Sequence, residues 1–304
     1  MQIGTSHFYD TGASQLSKLS VQADTLNTQI ATGKKISAPS QDVIAYNRLG
    51  AIKQANVDAT AYASNISLAQ SLLQQSDTTL TAIGTQLQRA AELTTQAANG
   101  TLSDANRKTI AIELQSIRDD LVNLAGTTDA RGQPLFGSAS GGAAVSQAAD
   151  GTVSFGGTTE LPAIPVGDGV DVRATDSAAR VFGNIPTSGG STTDVFAVLG
   201  SLISALNAGG DVTAATGAAA DGLKGAVAQV GNVQGSVGAR AARLDIVSAQ
   251  ATDAAAARET DRTGLEDTDV QTAIVELQKT MTVLQATQAS FTKLGQLSLF
   301  DYLR

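Results

Sequence analysis

Few residues of this chain could carry covalent chemistry, and their types restrict it sharply. There is one histidine, His7, and no cysteine. A Cys–His nucleophile pair and any cysteine-containing metal site are therefore excluded. His7 stands beside Phe8 and Tyr9 with no second ligand nearby, and it reads as a surface residue rather than a catalyst. Gly167-Asp168-Gly169-Val170-Asp171 hints at a calcium loop. It lacks the alternating acids and the distal glutamate of an EF-hand, so it reads as a turn. No Gly-x-x-x-x-Gly-Lys-Ser/Thr phosphate loop occurs. The acids Asp119-Asp120 and Glu266-Asp267 fall at or near expected helix ends, where a carboxylate faces solvent or a helix dipole. Lys34-Lys35 is too small a patch for nucleic acid. These residues assemble no catalytic constellation, no metal site and no cofactor site, and the chain does not read as an enzyme.

What remains is the chemistry of burial. From Val270 the apolar residues step through Ile274, Leu277, Met281 and Leu284, then past Gln288 to Phe291. Steps of four and three alternate, the a/d spacing of a helix with one narrow buried seam. Gly264 reads as a break upstream, with Leu265-Glu266-Asp267 placing acids at the start of the new helix. Beyond Phe291 comes an apolar cluster, Leu297, Leu299, Phe300, Tyr302 and Leu303, where a polar, frayed tail is the usual pattern. At the other end Leu16, Leu19, Ala23, Leu26 and Ile30 step three, four, three, four. The two ends are expected to pair as antiparallel helices, and these residues to form the subunit interface. A lone hairpin rich in Thr, Ser and Asn is marginal. The ends are thus expected to gain order by packing against neighbouring copies.

The chain between them is helical on both sides of a different middle. At 304 residues it is long enough for two or three domains. With no Trp and 4% aromatics, the core is expected to be aliphatic and spread along helix seams rather than gathered at an aromatic centre. Ser40 is a candidate N-cap for one long helix over about 41–98, whose seam runs Ile66, Ala69, Leu73, Ser76, Leu80, Ile83, Leu87, Ala90. Asn99-Gly100 breaks it, and Thr101 or Ser103 caps the next helix, with Ile110, Leu114, Ile117, Leu121 and Leu124 on one face and Gly126 at its end. Residues 137–190 hold eleven of the thirty glycines, three of the five prolines and no lysine, with short runs such as Thr152–Phe155 and Val170–Arg173. They read as a β-rich insert. Helix resumes after Asp194, a residue of N-cap type, ends at Gly209-Gly210, and a further long helix is expected from about Leu223 to Arg262.

The expected fold is mainly α: a long antiparallel helical rod and a terminal coiled coil with a small β-rich insert. Residues 1–40 with 266–304 form the coiled coil, 41–136 with 191–265 the rod, and 137–190 the outer insert. The formal charge of −8 argues against a nucleic-acid or anionic-membrane partner, since both want clustered Lys and Arg. No run of 18 apolar residues could form a transmembrane helix, and the first residues lack the basic and apolar regions of a signal peptide.

Leu26–Ser37 and Leu87–Thr101 resemble the N-terminal region of bacterial flagellins and their relatives. The resemblance covers both ends, about two thirds of the chain, and leaves out the insert. Three places resemble the family's junction members, which sit between hook and filament. They are Leu124–Gly137 with its Asp, Gly and Phe, the Gly238-Ala239-Arg240 segment, and the ending Leu297–Leu303. One departure is Val43, where the family often has proline after two acids, and the helix start is expected to be less fixed for it. The resemblance implies a flagellin-like fold and a structural subunit that assembles as a ring of copies of itself. Its neighbours would be hook-associated protein 1 and the first flagellins. It also implies export through the flagellar type III apparatus to the extracellular flagellum, with a cytosolic export chaperone holding the C-terminal helix. Two other readings stay open: a flagellin of the filament itself, and a coiled-coil scaffold unconnected with motility. An enzyme carried by the insert is the weakest.

Overall fold

The computed structural model of the protein describes residues 2–139, 141–149, 151–159, 161–187 and 190–302; side chains are described for these except 2–6, 8 and 294–302. Among these described residues seven helices and six short strands follow one another. They are α1 (Gln2–Thr32), α2 (Val43–Ala97), α3 (Asp104–Ala125), β1 (Val145–Gln147), β2 (Val153–Phe155), β3 (Ile164–Gly167), β4 (Val170–Val172), α4 (Ala178–Phe182), β5 (Ile185–Pro186), β6 (Thr192–Thr193), α5 (Val195–Ala208), α6 (Thr213–Glu266) and α7 (Val270–Tyr302). The fold is mainly helical with a few antiparallel strand pairs. It divides into two compact units, residues 1–58 with 253–304, and residues 59–252.

The 59–252 unit holds the large hydrophobic core, which runs in sequence from Ile66 to Leu244. Along α2 the seam read from the sequence, Ile66, Ala69, Leu73, Ser76, Leu80, Ile83, Leu87 and Ala90, is buried, and Leu72, Thr79, Leu93, Thr94 and Ala97 are buried with it. On α3 Leu114, Ile117 and Leu121 are buried, while Ile110 and Leu124 sit at the edge of the face and are half-buried. On α5 Val195, Phe196, Leu199, Leu202 and Leu206 are buried, and this helix packs on α3. On α6 the inward face includes Leu223, Ala226, Val230, Val237 and Leu244. This core is not wholly aliphatic. Four of the seven phenylalanines meet: Phe182 lies 6.5 Å from Phe136 edge-on and 5.2 Å from Phe196, which is 6.2 Å from Phe155. The expectation of no aromatic centre fails because these residues are isolated in sequence and are gathered only by the insert.

The insert forms three separate antiparallel hairpins, β1–β2, β3–β4 and β5–β6, rather than one sheet. The Gly167–Asp171 segment spans the turn of β3–β4, in which Asp168 and Gly169 join the strands, with Gly169 in the left-handed region at φ +65°. Asn65 on α2 donates to Pro165 O at 2.8 Å and ties that hairpin down. A second tie is ionic. Asp176, 2% exposed, pairs with Arg180 at 2.9 Å and with Arg240 on α6, whose guanidinium also donates to Arg173 O at 2.9 Å. A buried carboxylate is tolerable only when paired in this way.

Helix ends show where local signals compete. Ser103 and Asp194 cap α3 and α5 as read, accepting from Asn106 N at 3.3 Å and Ala197 N at 2.9 Å. The start of α2 is capped by Asp42 rather than Ser40: its carboxylate accepts from Ala45 N at 2.9 Å. Gln41 Oε1 also accepts from Ser37 N at 2.7 Å, so the start without proline at residue 43 is held by side chains. Helix α6 begins ten residues earlier than expected, at Thr213. There Asp211 accepts from Thr213 N at 2.9 Å, and the following alanines favour helix. It also continues through Gly264 to Glu266. Glu266 therefore ends one helix rather than starting another, and Asp269 is the cap of α7.

Candidate assembly surface

The 1–58 and 253–304 unit is built on a joint between two turns. Helix α1 ends at Gly33, whose φ of +70° places it in the left-handed region that glycine adopts without a Cβ penalty. Its N–H donates to Gln29 O at 2.8 Å. Two backbone bonds then clamp this turn to the α6–α7 turn: Lys35 N to Glu266 O at 2.6 Å, and Thr268 N to Gly33 O at 2.9 Å. Glu266 is an acid in the last turn of α6, the wrong sign for that end of a helix dipole. The Lys34 ammonium and the Arg262 guanidinium offset this, both pairing with its carboxylate. The Lys34 hydrogen bond is the largest influence, and with Arg262 it holds the Glu266 carboxyl below its ordinary value although burial pushes the other way. On the far side of the turn Asp269 accepts from Gln271 N at 3.0 Å, Thr272 N at 3.2 Å and the Thr272 hydroxyl at 2.7 Å. The Thr272 hydroxyl foremost keeps that carboxyl low as well.

From this joint α1 and α7 run antiparallel. Residues 33–35 face 266–268, and at the far end Tyr9 meets Phe291 edge-on at 5.3 Å. The α1 seam lies where its spacing puts it: Ala23 and Leu26 are buried, and Leu16, Leu19 and Ile30 half-buried. On α7 the pairing seam is Ala273, Leu277, Thr280, Leu284, Thr287 and Phe291, all buried or half-buried. It too steps four, three, four, three, but in a register that shares only Leu277, Leu284 and Phe291 with the expected one. Val270, Ile274 and Met281 lie beside the seam and are 40%, 41% and 41% exposed. The pairing helix needs small residues where α1 comes close, and it places Ala and Thr there. The backbone of Leu297, Leu299, Phe300 and Tyr302 continues α7, but their side chains lie outside the described residues, as does Leu303 entirely.

Uncovered apolar side chains gather on this unit. Of the twelve large hydrophobic residues that stand exposed among the described residues, ten belong to it and two, Ile112 and Ile246, to the other. The ten include Val43, Ile44, Tyr46 and Val57 on α2, which sequence reading missed. The signal was available: Val43, Tyr46 and Val57 share one face of α2, opposite buried Ala45 and Ile52. By contrast, among the described residues no group of three His, Cys, Asp or Glu could hold a metal, and no helix is long and apolar enough to cross a membrane. His7 is exposed on α1. The recess between β5–β6, α5 and α6 is lined by Pro186, Ala197, Val198, Leu202 and Gly222, with Asp221 as its one titratable group among the described residues. Nothing there converges on a reacting atom.

Several known proteins are similar to this chain. The family model for the bacterial flagellin N-terminal helical region matches residues 7–140. Flagellar hook-associated protein 3 of Salmonella typhimurium is 28% identical over 319 residues, covering 100% of both chains. The protein of that name in Escherichia coli is 27% identical over 316 residues, 99% of each. A flagellin of Listeria monocytogenes is 32% identical, but over 119 residues, 38% of this chain and 40% of its own. Among solved structures, hook-associated protein 3 of Legionella pneumophila matches 71% of this chain and 98% of its own at 17% identity, with a TM-score of 0.67. A putative flagellar hook-associated protein of Vibrio parahaemolyticus matches 75% of this chain and 100% of its own at 21% identity and the same TM-score of 0.67. At these identities the structural likeness speaks to the fold.

Proposed function

We propose that the chain is a member of the bacterial flagellin family, on its similarity over the full length to hook-associated protein 3, and that it is the structural subunit that joins hook to filament. The observation that carries this reading is the concentration of uncovered apolar side chains on the unit built from the two chain ends. A single copy leaves them in water; several copies packed side by side cover them, at about 25 cal/mol for each Å² removed from solvent. The subunit assembles as a ring through α1 and α7, with hook-associated protein 1 on one side and flagellin on the other. It reaches the cell exterior through the flagellar export apparatus, and an export chaperone covers α7 until then. Its work is mechanical rather than catalytic.

Full-length similarity to hook-associated protein 3, against similarity to flagellin over little more than a third of the chain, favours the junction over the filament. The test is deletion of the gene followed by electron microscopy. Hooks without filaments, with monomeric flagellin shed into the medium, are the expected result. Intact filaments on the deleted strain would overturn the reading, and immunogold label along the whole filament would make the chain a flagellin.

A further inference from the structure

The 1–58 and 253–304 unit carries two exposed apolar faces that differ in helix, composition and flanking residues. One lies on α7, where Val270, Ile274 and Met281 stand at steps of four and seven. The other lies on α2, where Val43, Tyr46 and Val57 occur at steps of three and eleven, again one helical face. We propose that these are the two halves of one head-to-tail contact, the α7 face of one copy packing on the α2 face of the next. This rests on the ring assembly proposed above, in which the terminal helices take part, and adds the α2 face as the surface that α7 meets.

Three features favour a second copy of this chain as the occupant. First, both faces are exposed in the folded chain, so they do not cover each other within one molecule. A closed ring of more than two copies requires a contact between unlike patches, since a self-complementary patch stops at a dimer. The unit offers two unlike patches. Second, their lengths match. Val270 to Met281 spans about 17 Å of helix and Val43 to Val57 about 21 Å, at roughly 1.5 Å per residue. Third, the borders suit each other. The α7 face is edged by Gln271, Gln278 and Gln285, all exposed and uncharged, and Gly50 and Gln54 lie between the apolar residues of the α2 face. No like charges oppose the approach along either row of apolar residues.

Gly50 supplies a further pointer. It sits mid-helix, where glycine is unfavourable, and a Cβ built on it meets nothing within 4 Å. Nothing within the chain requires a glycine there. In the head-to-tail contact it is the low point of the α2 face, into which a side chain such as Met281 of the next copy fits.

The chain has no cysteine, so introduced cysteines cross-link without background. Full-length Ile274→Cys/Val57→Cys is expressed in place of the chromosomal copy, and flagella are isolated from those cells and oxidised. The expected product is a ladder of disulfide-linked oligomers larger than dimers, while Ile274→Cys alone and Val57→Cys alone give no dimer. Homodimers from either single variant would overturn the proposal in favour of a self-complementary contact. Filaments that form normally yet give no 57–274 product would overturn it while leaving the junction reading intact. Wild-type cells whose flagella lack the chain altogether would sink the junction reading itself. As a second measurement, Gly50→Leu should weaken self-association of the purified chain at least tenfold without lowering its helix content. Unchanged association in that variant would remove the slot from the contact.

Discussion

Phe291 on α7 occupies the space that a side chain on Gly12 of α1 would need: a Cβ added at residue 12 would stand 2.6 Å from the Phe291 ring. Tyr9, one turn away on α1, meets the same ring edge-on. A glycine, a large ring and a tyrosine thus fix the longitudinal register of the terminal pair, which the repeating Leu, Ala and Thr of the seam leave less defined. Gly12→Leu should cost about 1–3 kcal/mol through overpacking, read as lost hydrogen-exchange protection along residues 9–30 and 273–291. Combining it with Phe291→Ala should cost less than the two changes summed. Strict additivity would show that the ring and the glycine do not share a site.

Acid should loosen the joint at Lys34 and Glu266. The Glu266 carboxyl is held below its ordinary value of 4.5, chiefly by the Lys34 hydrogen bond. A group whose folded pKa is depressed stabilises the fold above its unfolded value and loses that contribution as pH falls through the folded one. Wild type should therefore exceed Glu266→Gln in stability at pH 7, and the gap should close as pH drops below about 4.5. Because Lys34 is half exposed, the gap should be about 1 kcal/mol or less. Denaturant midpoints of both proteins across this range check it. A gap unchanged at pH 3 would remove the ion pair from the joint.

The seam on α1 was legible because its contact positions are Leu, Ala and Ile and the residues between them are polar. The seam on α7 was not. Its contact positions include Thr280 and Thr287, which a hydrophobic pattern scores as polar, while Val270, Ile274 and Met281 form a better-looking stripe one position away. Both stripes share Leu277, Leu284 and Phe291, so periodicity alone merges a helix's two apolar faces into one. The phenylalanine cluster was invisible for another reason. Phe136, Phe155, Phe182 and Phe196 are separated by fourteen residues or more, and their meeting is set by hairpins whose stacking no local rule predicts. At the start of α2, Ser40 and Asp42 are both good caps, and the choice fell to Asp42 because Gln41 closes the preceding turn.

Arg240 explains one of the segments that marked the family. It reaches from α6 to Asp176 and Arg173, fastening the insert. Arg240→Met should leave the buried Asp176 with Arg180 alone and cost about 1–3 kcal/mol, the penalty for a partly unsatisfied buried group. Asp176→Asn in the same background should recover part of that loss. Denaturation of the full chain measures both, and a double variant weaker by the full sum would show that the two residues act separately.

The two faces of α7 should separate stability from assembly. Leu277 lies in the seam against α1, whereas Ile274, three residues earlier, stands exposed beside it. Leu277→Glu puts a charge into the half-covered seam and should destabilise the terminal pair by about 1–3 kcal/mol. Ile274→Glu changes a solvent-exposed side chain and should shift the stability of the isolated chain by no more than about 0.5 kcal/mol. Yet the new charge would be desolvated in any packed assembly, so the variant should fold normally and fail to restore filaments to a strain lacking the gene. Circular dichroism melts set beside a motility assay distinguish the outcomes. If Ile274→Glu swims as well as wild type, the exposed stripe is not where the copies meet. If it melts as early as Leu277→Glu, the stripe belongs to the intramolecular seam after all.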